Sequence, residues 1–348
     1  MVSMAEATAA PAGWLRGRPF DLTFIVGITA VALLSGAVVV ADPRLFGPIL
    51  FLDLWLLGYH HVISTYTRLC FDKESLRQHR FLLFGLPPLV LAGVVLIFVG
   101  LGAWAIPTIY LYWQWFHYTR QSFGVSQVYR RKAGELIDES PWLTKAALYL
   151  LPLWGILYRS YQEPETFLWM EVRVLPVPGW LVDGAALAAL AVMGFWFAQR
   201  IAAWMRGRLP IAHTLYMISH FVVFYTGYIA IDDITHGWLV INIWHNAQYV
   251  LFVWLFNSNR FKNGIDPKAR FLSTISQADK AWLYFGVCLA LTSVFYLSVD
   301  LAIDQFSHWA LPLALIVYQT INFHHYIVDS LIWKVRKKPM QKTLGIAP

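Results

Sequence analysis

Long apolar runs separated by short basic loops leave this chain few ways to fold. A run of about 20 apolar residues matches the hydrocarbon thickness of a bilayer, and it satisfies its own backbone there as a helix. About ten such runs occur, at residues 20–41, 45–67, 81–104, 105–129, 142–159, 178–202, 211–231, 238–257, 281–302 and 309–333. The expected fold class is therefore all-α, a polytopic transmembrane helical bundle over 20–333, with tails at 1–19 and 334–348. Composition agrees, with 58% hydrophobic and 14% charged residues, against about a quarter charged in a soluble domain. Runs 3 and 4 have almost no loop between them, which predicts a tight hairpin. Pro87-Pro88 predicts a break or kink in run 3. Run 5 is short enough to be tilted or partly interfacial.

Charge sets the expected orientation. Arg68, Lys73, Arg77 and Arg80 fall in one loop, Arg130, Arg131 and Lys132 in another, and Lys334, Arg336, Lys337 and Lys338 after the last run. These segments, with Arg16, Arg18 and the loops at 200–208 and 260–280, lie on one side. The opposite loops hold only Arg44, Arg159 and Arg173, beside Asp232, Asp233, Asp300 and Asp304. By the positive-inside rule both termini are cytoplasmic. The net charge of +7 then reflects loops facing anionic lipid and calls for no nucleic acid. Residues 1–19 lack the apolar stretch of a secretory signal. Cys70 and Cys288 make neither a disulfide framework nor a metal motif. The expected location is the bacterial inner membrane, as a multi-pass protein.

The histidines carry the functional signal through their depth. His60 and His61 lie on run 2, His117 on run 4, His213 and His220 on run 7, His245 on run 8, and His324 and His325 on run 10. At 1.5 Å per residue, all sit roughly 8–22 Å from the basic belt. The other five runs carry no interior histidine; His79, His236 and His308 fall outside this layer. Ionisable groups at membrane depth are expensive and mark function, and imidazole is the common nitrogen ligand for iron, copper and zinc. The expected ligands are His60, His61, His117, His220, His245, His324 and His325. Neighbouring positions on a helix point about 100° apart, so both members of an adjacent pair do not easily bind one ion. Asp329, at i+4 from His325, and Asp53, at i−7 from His60, are expected to accept the far N–H of a ligating histidine or to ligate directly. Gln114 and Gln248, one turn from His117 and His245, join them, as does His213, in an i, i+3, i+7 stripe with Tyr216 and His220. Arg120, at i+3 from His117, either snorkels to the surface or binds the polar head of a substrate.

Histidine with carboxylate and no cysteine suits non-haem iron, mononuclear or dinuclear. An apolar bundle suits chemistry on a lipophilic substrate that partitions from membrane lipid, with water excluded. The histidine layer on a polytopic bundle resembles the bacterial membrane carotene-cleaving dioxygenases of the Brp/Blh kind. It resembles more distantly the membrane fatty-acid desaturases and hydroxylases, whose HxxxH and HxxHH boxes are reduced here to the pairs in GYHHVIS and NFHHYIVD. The resemblance covers architecture and the histidine layer, not a contiguous motif, and carries over no ligand. It implies an iron oxygenase, desaturase or hydroxylase, with an electron donor as a candidate partner. Two other classes remain open. Histidines on separate runs, such as His117 and His245, can ligate haem axially in an electron-transfer protein. Histidines with Asp53 can also form a metal-ion or proton path. Against a path, the half of the bundle away from the basic loops is expected to lack buried polar residues.

Overall fold

The computed structural model describes residues 13–308 and 311–346. Residues 1–12 of the expected N-terminal tail, 309–310 of the last expected run and 347–348 of the C-terminal tail lie outside the described residues. Ten long helices follow in chain order where the ten apolar runs lie. They are α1 (Arg18–Ala41), α2 (Pro43–Leu69), α3 (Phe81–Leu101), α4 (Ala105–Ala133), α5 (Pro141–Tyr161), α6 (Gly179–Met205), α7 (Ile211–Tyr225), α8 (Ile234–Arg260), α9 (Ala278–Gln305) and α10 (Leu313–Ile332). Among the described residues, six of these are long and apolar enough to cross a membrane: α1, α2, α3, α6, α8 and α9. They mark an all-α membrane protein. Helices α4, α5, α7 and α10 are shorter or more polar, because they carry much of the buried polar chemistry described below.

Local sequence explains several details. Gly102, at φ +97°, turns the chain between α3 and α4 in the expected tight hairpin. The Pro87-Pro88 pair follows a π-helical turn at Phe81–Gly85, which accommodates prolines that cannot donate into a regular ladder. A two-stranded hairpin, Thr166–Phe167 with Met170–Glu171, interrupts the loop between α5 and α6. Arg159, which the sequence places in a loop, instead lies wholly buried in α5. Its guanidinium donates to the carbonyls of Gly227 at 3.0 Å and Asp232 at 2.5 Å, and to that of Ile231. It thereby satisfies the π-helical end of α7 at Thr226–Ala230.

Helix α8 is the axis of the bundle. Its most apolar window is 89% buried, against 6% for α3. In lipid the outer surface is as apolar as any core, so the most hydrophobic helices face outward and the more polar ones pack inside. Small residues let the backbones approach: a Cβ on Gly36 of α1 would meet Val240 of α8 at 2.4 Å, and one on Gly58 of α2 would meet the Asn246 amide at 3.4 Å. Helices α1, α2 and α7 pack against α8, and α10 packs against both α2 and α4. This arrangement turns one face each of α2, α4, α8 and α10 toward a common point.

Candidate metal centre

At that point stand His61 of α2, His117 of α4, and His325 and Asp329 of α10. One ligand atom from each lies within 4.8 Å of the others, and all four residues are buried. Asp329 Oδ2 is 3.3 Å from His325 Nε2, one helical turn away on the same face, and 4.0 Å from His117 Nε2. His245 of α8 closes the group, its ring centroid 4.9 Å from that of His61 and 5.0 Å from that of His117.

The decisive property is what these nitrogens lack. Nε2 of His61, His117 and His325, and both ring nitrogens of His245, are buried without a hydrogen-bond partner. Buried polar atoms are nearly always paired, and a metal ion would satisfy one nitrogen on each ring. The far sides of two rings are already held. His61 Nδ1 lies 2.7 Å from Asn246 Oδ1, and His325 Nδ1 lies 3.3 Å from Thr65 Oγ1. Donation through Nδ1 leaves the Nε2 lone pair facing the centre, the arrangement found around metal-ligating histidines. The Tyr249 hydroxyl donates to Asp329 Oδ1 at 2.6 Å and accepts from Trp333 Nε1 at 2.8 Å, which leaves Oδ2 toward the imidazoles. Three tyrosine rings wall the site: Tyr249 stacks on His61 at 4.0 Å, Tyr326 on His117 at 4.2 Å, and Tyr118 packs on His245 at 4.2 Å.

The other expected residues face elsewhere. His60 donates from Nδ1 to the Leu56 carbonyl at 3.2 Å and packs edge-to-face with Phe285; its Nε2 is also buried without a partner, but His60 stands outside the cluster. His324 donates from Nε2 to the Leu82 carbonyl of α3 at 2.7 Å. His220 has both nitrogens occupied, Nε2 donating to the Leu148 carbonyl at 3.0 Å and Nδ1 accepting from Ser122 at 2.9 Å. His213 accepts from Arg200 at Nδ1 (2.9 Å) and donates from Nε2 to Ser126 (3.1 Å), inside a separate network in which Arg200 pairs with Glu139. Gln114 accepts from Trp238 Nε1 at 2.6 Å, and Gln248 from the Tyr216 hydroxyl at 3.4 Å, so neither carbonyl turns to its neighbouring histidine. Asp53 acts at one remove: it accepts from Asn242 at 2.5 Å, and Asn242 accepts from the Tyr118 hydroxyl at 2.6 Å, fixing the ring that packs on His245.

Thr65, Asn246 and Tyr249 are functional neighbours that sequence reasoning missed. Two of them carried a signal, since Thr65 is at i+4 from His61 and Tyr249 at i+4 from His245. The π-helical turn Leu54–Gly58, just before His60-His61, is another, because such turns recur at functional sites.

Two cavities reach the centre from opposite sides along the bundle axis. The larger, about 560 Å³, touches His117, Tyr249 and Asp329 and extends past Arg120 and Trp333 to Arg131 and Arg336. The smaller, about 240 Å³, touches His61, His245 and His325 and extends past Asn242 and Gln319 toward Trp169. Asp53, Gln114, Asn242 and Gln319 are all buried. The half of the bundle away from the basic loops is therefore not devoid of buried polar groups, contrary to expectation. The missed residues were asparagine and glutamine, whose side chains carry no charge to flag them.

No protein-family model, curated protein or solved structure matches this sequence.

Proposed function

We propose that the protein is a membrane-embedded, metal-dependent oxidoreductase of the oxygenase kind, acting on a lipophilic substrate beside non-haem iron. His61, His117, His245, His325 and Asp329 are its ligands in this reading. One observation carries it: the unpartnered Nε2 atoms of His61, His117 and His325 converge with a carboxylate oxygen of buried Asp329, and His245, both of whose ring nitrogens lack a partner, packs beside them. The donor set of imidazole and carboxylate without sulfur supports iron, and a single convergence point supports a mononuclear centre. Bound iron would supply the redox chemistry. The chain's own residues hold and shield it. Asn246 and Thr65 set the ring tautomers, Tyr249 orients Asp329, and the tyrosine walls exclude water. A cavity of about 560 Å³ suits a small lipophilic molecule, with membrane lipid as its reservoir. In this reading the site lies in the half of the bundle next to the basic loops, and the positive-inside rule supports assigning that half to the cytoplasmic face of a bacterial inner membrane, with both termini cytoplasmic. This is the class that the histidine layer resembles.

Haem is disfavoured by geometry. Ring centroids of His61 and His325 stand 4.4 Å apart and those of His117 and His245 5.0 Å, so a macrocycle has no space between either pair. A second reading, passage of a metal ion or proton, is favoured by the two cavities that meet at the cluster. Elemental analysis of detergent-purified protein, with an absorption spectrum of the same sample, separates the readings. One iron per chain without a Soret band is expected. A Soret band would assign haem, and zinc would assign hydrolytic or structural chemistry. Folded protein without metal, catalysing ion flux in proteoliposomes, would assign transport.

A further inference from the structure

The larger cavity has a chemical asymmetry that the metal centre does not explain. Its inner walls are aromatic, with Trp113, Phe116, Phe123 and Tyr326 among them. Its outer lining carries four cations, Arg120 and Arg131 from α4 and Lys334 and Arg336 from the segment after α10. Among the described residues the only acid in the lining is Asp329, which is buried and engaged by Tyr249. Among the described residues, none of these four cations has a carboxylate within ion-pairing distance. Several other arginines do: Arg44 pairs with Asp42, Arg173 with Glu171, Arg206 with Asp138 and Arg260 with Asp72, whereas Arg77, Arg80 and Arg270 share the lack but do not line this cavity. Arg120 instead donates to the Ser330 carbonyl at 3.3 Å, which sets its guanidinium beside the last turn of α10, one turn before Lys334. Two separate stretches of chain thus bring unpaired positive charge to one rim.

We propose that this cavity binds an amphiphile with an apolar body and an oxyanion head, the head being a carboxylate or phosphate held between Arg120 and Lys334. The body lies against the aromatic walls, past His117 toward Trp113. Arg120 is three residues from His117 on the same helix face, a rise of about 4.5 Å. The head therefore anchors the portion of the molecule nearest to it beside the cluster. Guanidinium is suited to this task because its planar fork matches an oxyanion in two hydrogen bonds. The binding claim stands on the cavity alone; that the ligand is a substrate rests on the reading of the histidine cluster as a reacting centre.

The test is equilibrium binding of radiolabelled hexadecanoate, methyl hexadecanoate and hexadecyl phosphate to the full-length protein in phosphatidylcholine nanodiscs, with metal content read on each sample. The expected result is at least tenfold tighter binding of the acid and the phosphate than of the ester. Arg120→Gln should abolish this preference and Lys334→Gln should weaken it, both with unchanged ester binding and unchanged metal content. Equal binding of acid and ester would overturn the proposal. Displacement by inorganic phosphate alone would do so too, since it would mean a free-anion site. Displacement by phosphatidylglycerol added to the discs would assign the rim to a resident lipid headgroup and overturn the substrate role. A preserved acid preference in protein that holds no metal would sink the metal reading and leave this one standing.

Discussion

Seven of the eight buried histidines among the described residues divide into two populations, and the eighth, His60, has one nitrogen bonded to Leu56 and one without a partner. In one, ring nitrogens of His61, His117 and His325 point at a shared centre and lack partners, and His245 packs against His61 and His117 with both of its nitrogens unpartnered. In the other, His213, His220 and His324, ring nitrogens are spent on neighbouring helices, at Arg200 and Ser126, at Leu148 and Ser122, and at Leu82. Depth in the bundle does not separate the groups, because His324 and His325 are adjacent, as are His60 and His61. The difference is direction around the helix. A histidine that donates to a carbonyl of the next helix fastens the bundle. One whose far nitrogen is fixed by Asn246 or Thr65, with its near nitrogen left open, is prepared for an ion.

The comparison breaks most sharply at the adjacent pairs. His325→Ala is expected to abolish metal binding, whereas His324→Ala should keep the wild-type stoichiometry; elemental analysis of the two variants reads the contrast. Equal loss from both would erase the distinction. Next in size, Asn246→Ala and Tyr249→Phe should weaken metal affinity by about 10–100-fold without emptying the site at saturating metal. Titration with a competing chelator measures this, and wild-type affinity in both would remove the supporting shell from the account. Affinity should also fall as pH drops, because the imidazoles must be neutral to ligate and binding releases protons. His220→Ala should leave metal content intact while costing about 1–3 kcal/mol of stability, since the Leu148 carbonyl and Ser122 hydroxyl lose their partner. A shifted unfolding midpoint with full metal loading is the expected record. The smallest effect belongs to His60→Ala, which gives up one 3.2 Å bond worth about 0.5–1.5 kcal/mol and no metal.

Much of this was legible in the sequence, and the boundary of what was legible is physical. Apolar runs of membrane length located all ten helices, because length and hydrophobicity are properties of a single segment. Distance from the basic loops gave the expected depth of each histidine for the same reason. The 100° step between neighbours also anticipated that His324 and His325 would not both face one ion. Which member faces inward depends on how α10 packs against α3 and α4, and no local pattern states that. His220 shows the limit: its depth matched the layer, but its ring lies against α4 and α5, where Ser122 and Leu148 hold it. Asn242, Asn246 and Thr65 escaped notice because neutral polar residues are unremarkable until two helices bring them beside an imidazole.

The central claim is that four histidines and one aspartate surround a single metal ion. X-ray absorption at the metal edge of purified, metal-loaded protein tests it most directly. The account predicts a first shell of nitrogen and oxygen at about 2.0–2.2 Å with the outer-shell scattering of several imidazoles and no sulfur, and loss of imidazole scattering in His245→Ala. A sulfur shell, or a shell of water oxygens unchanged by His245→Ala, would contradict it.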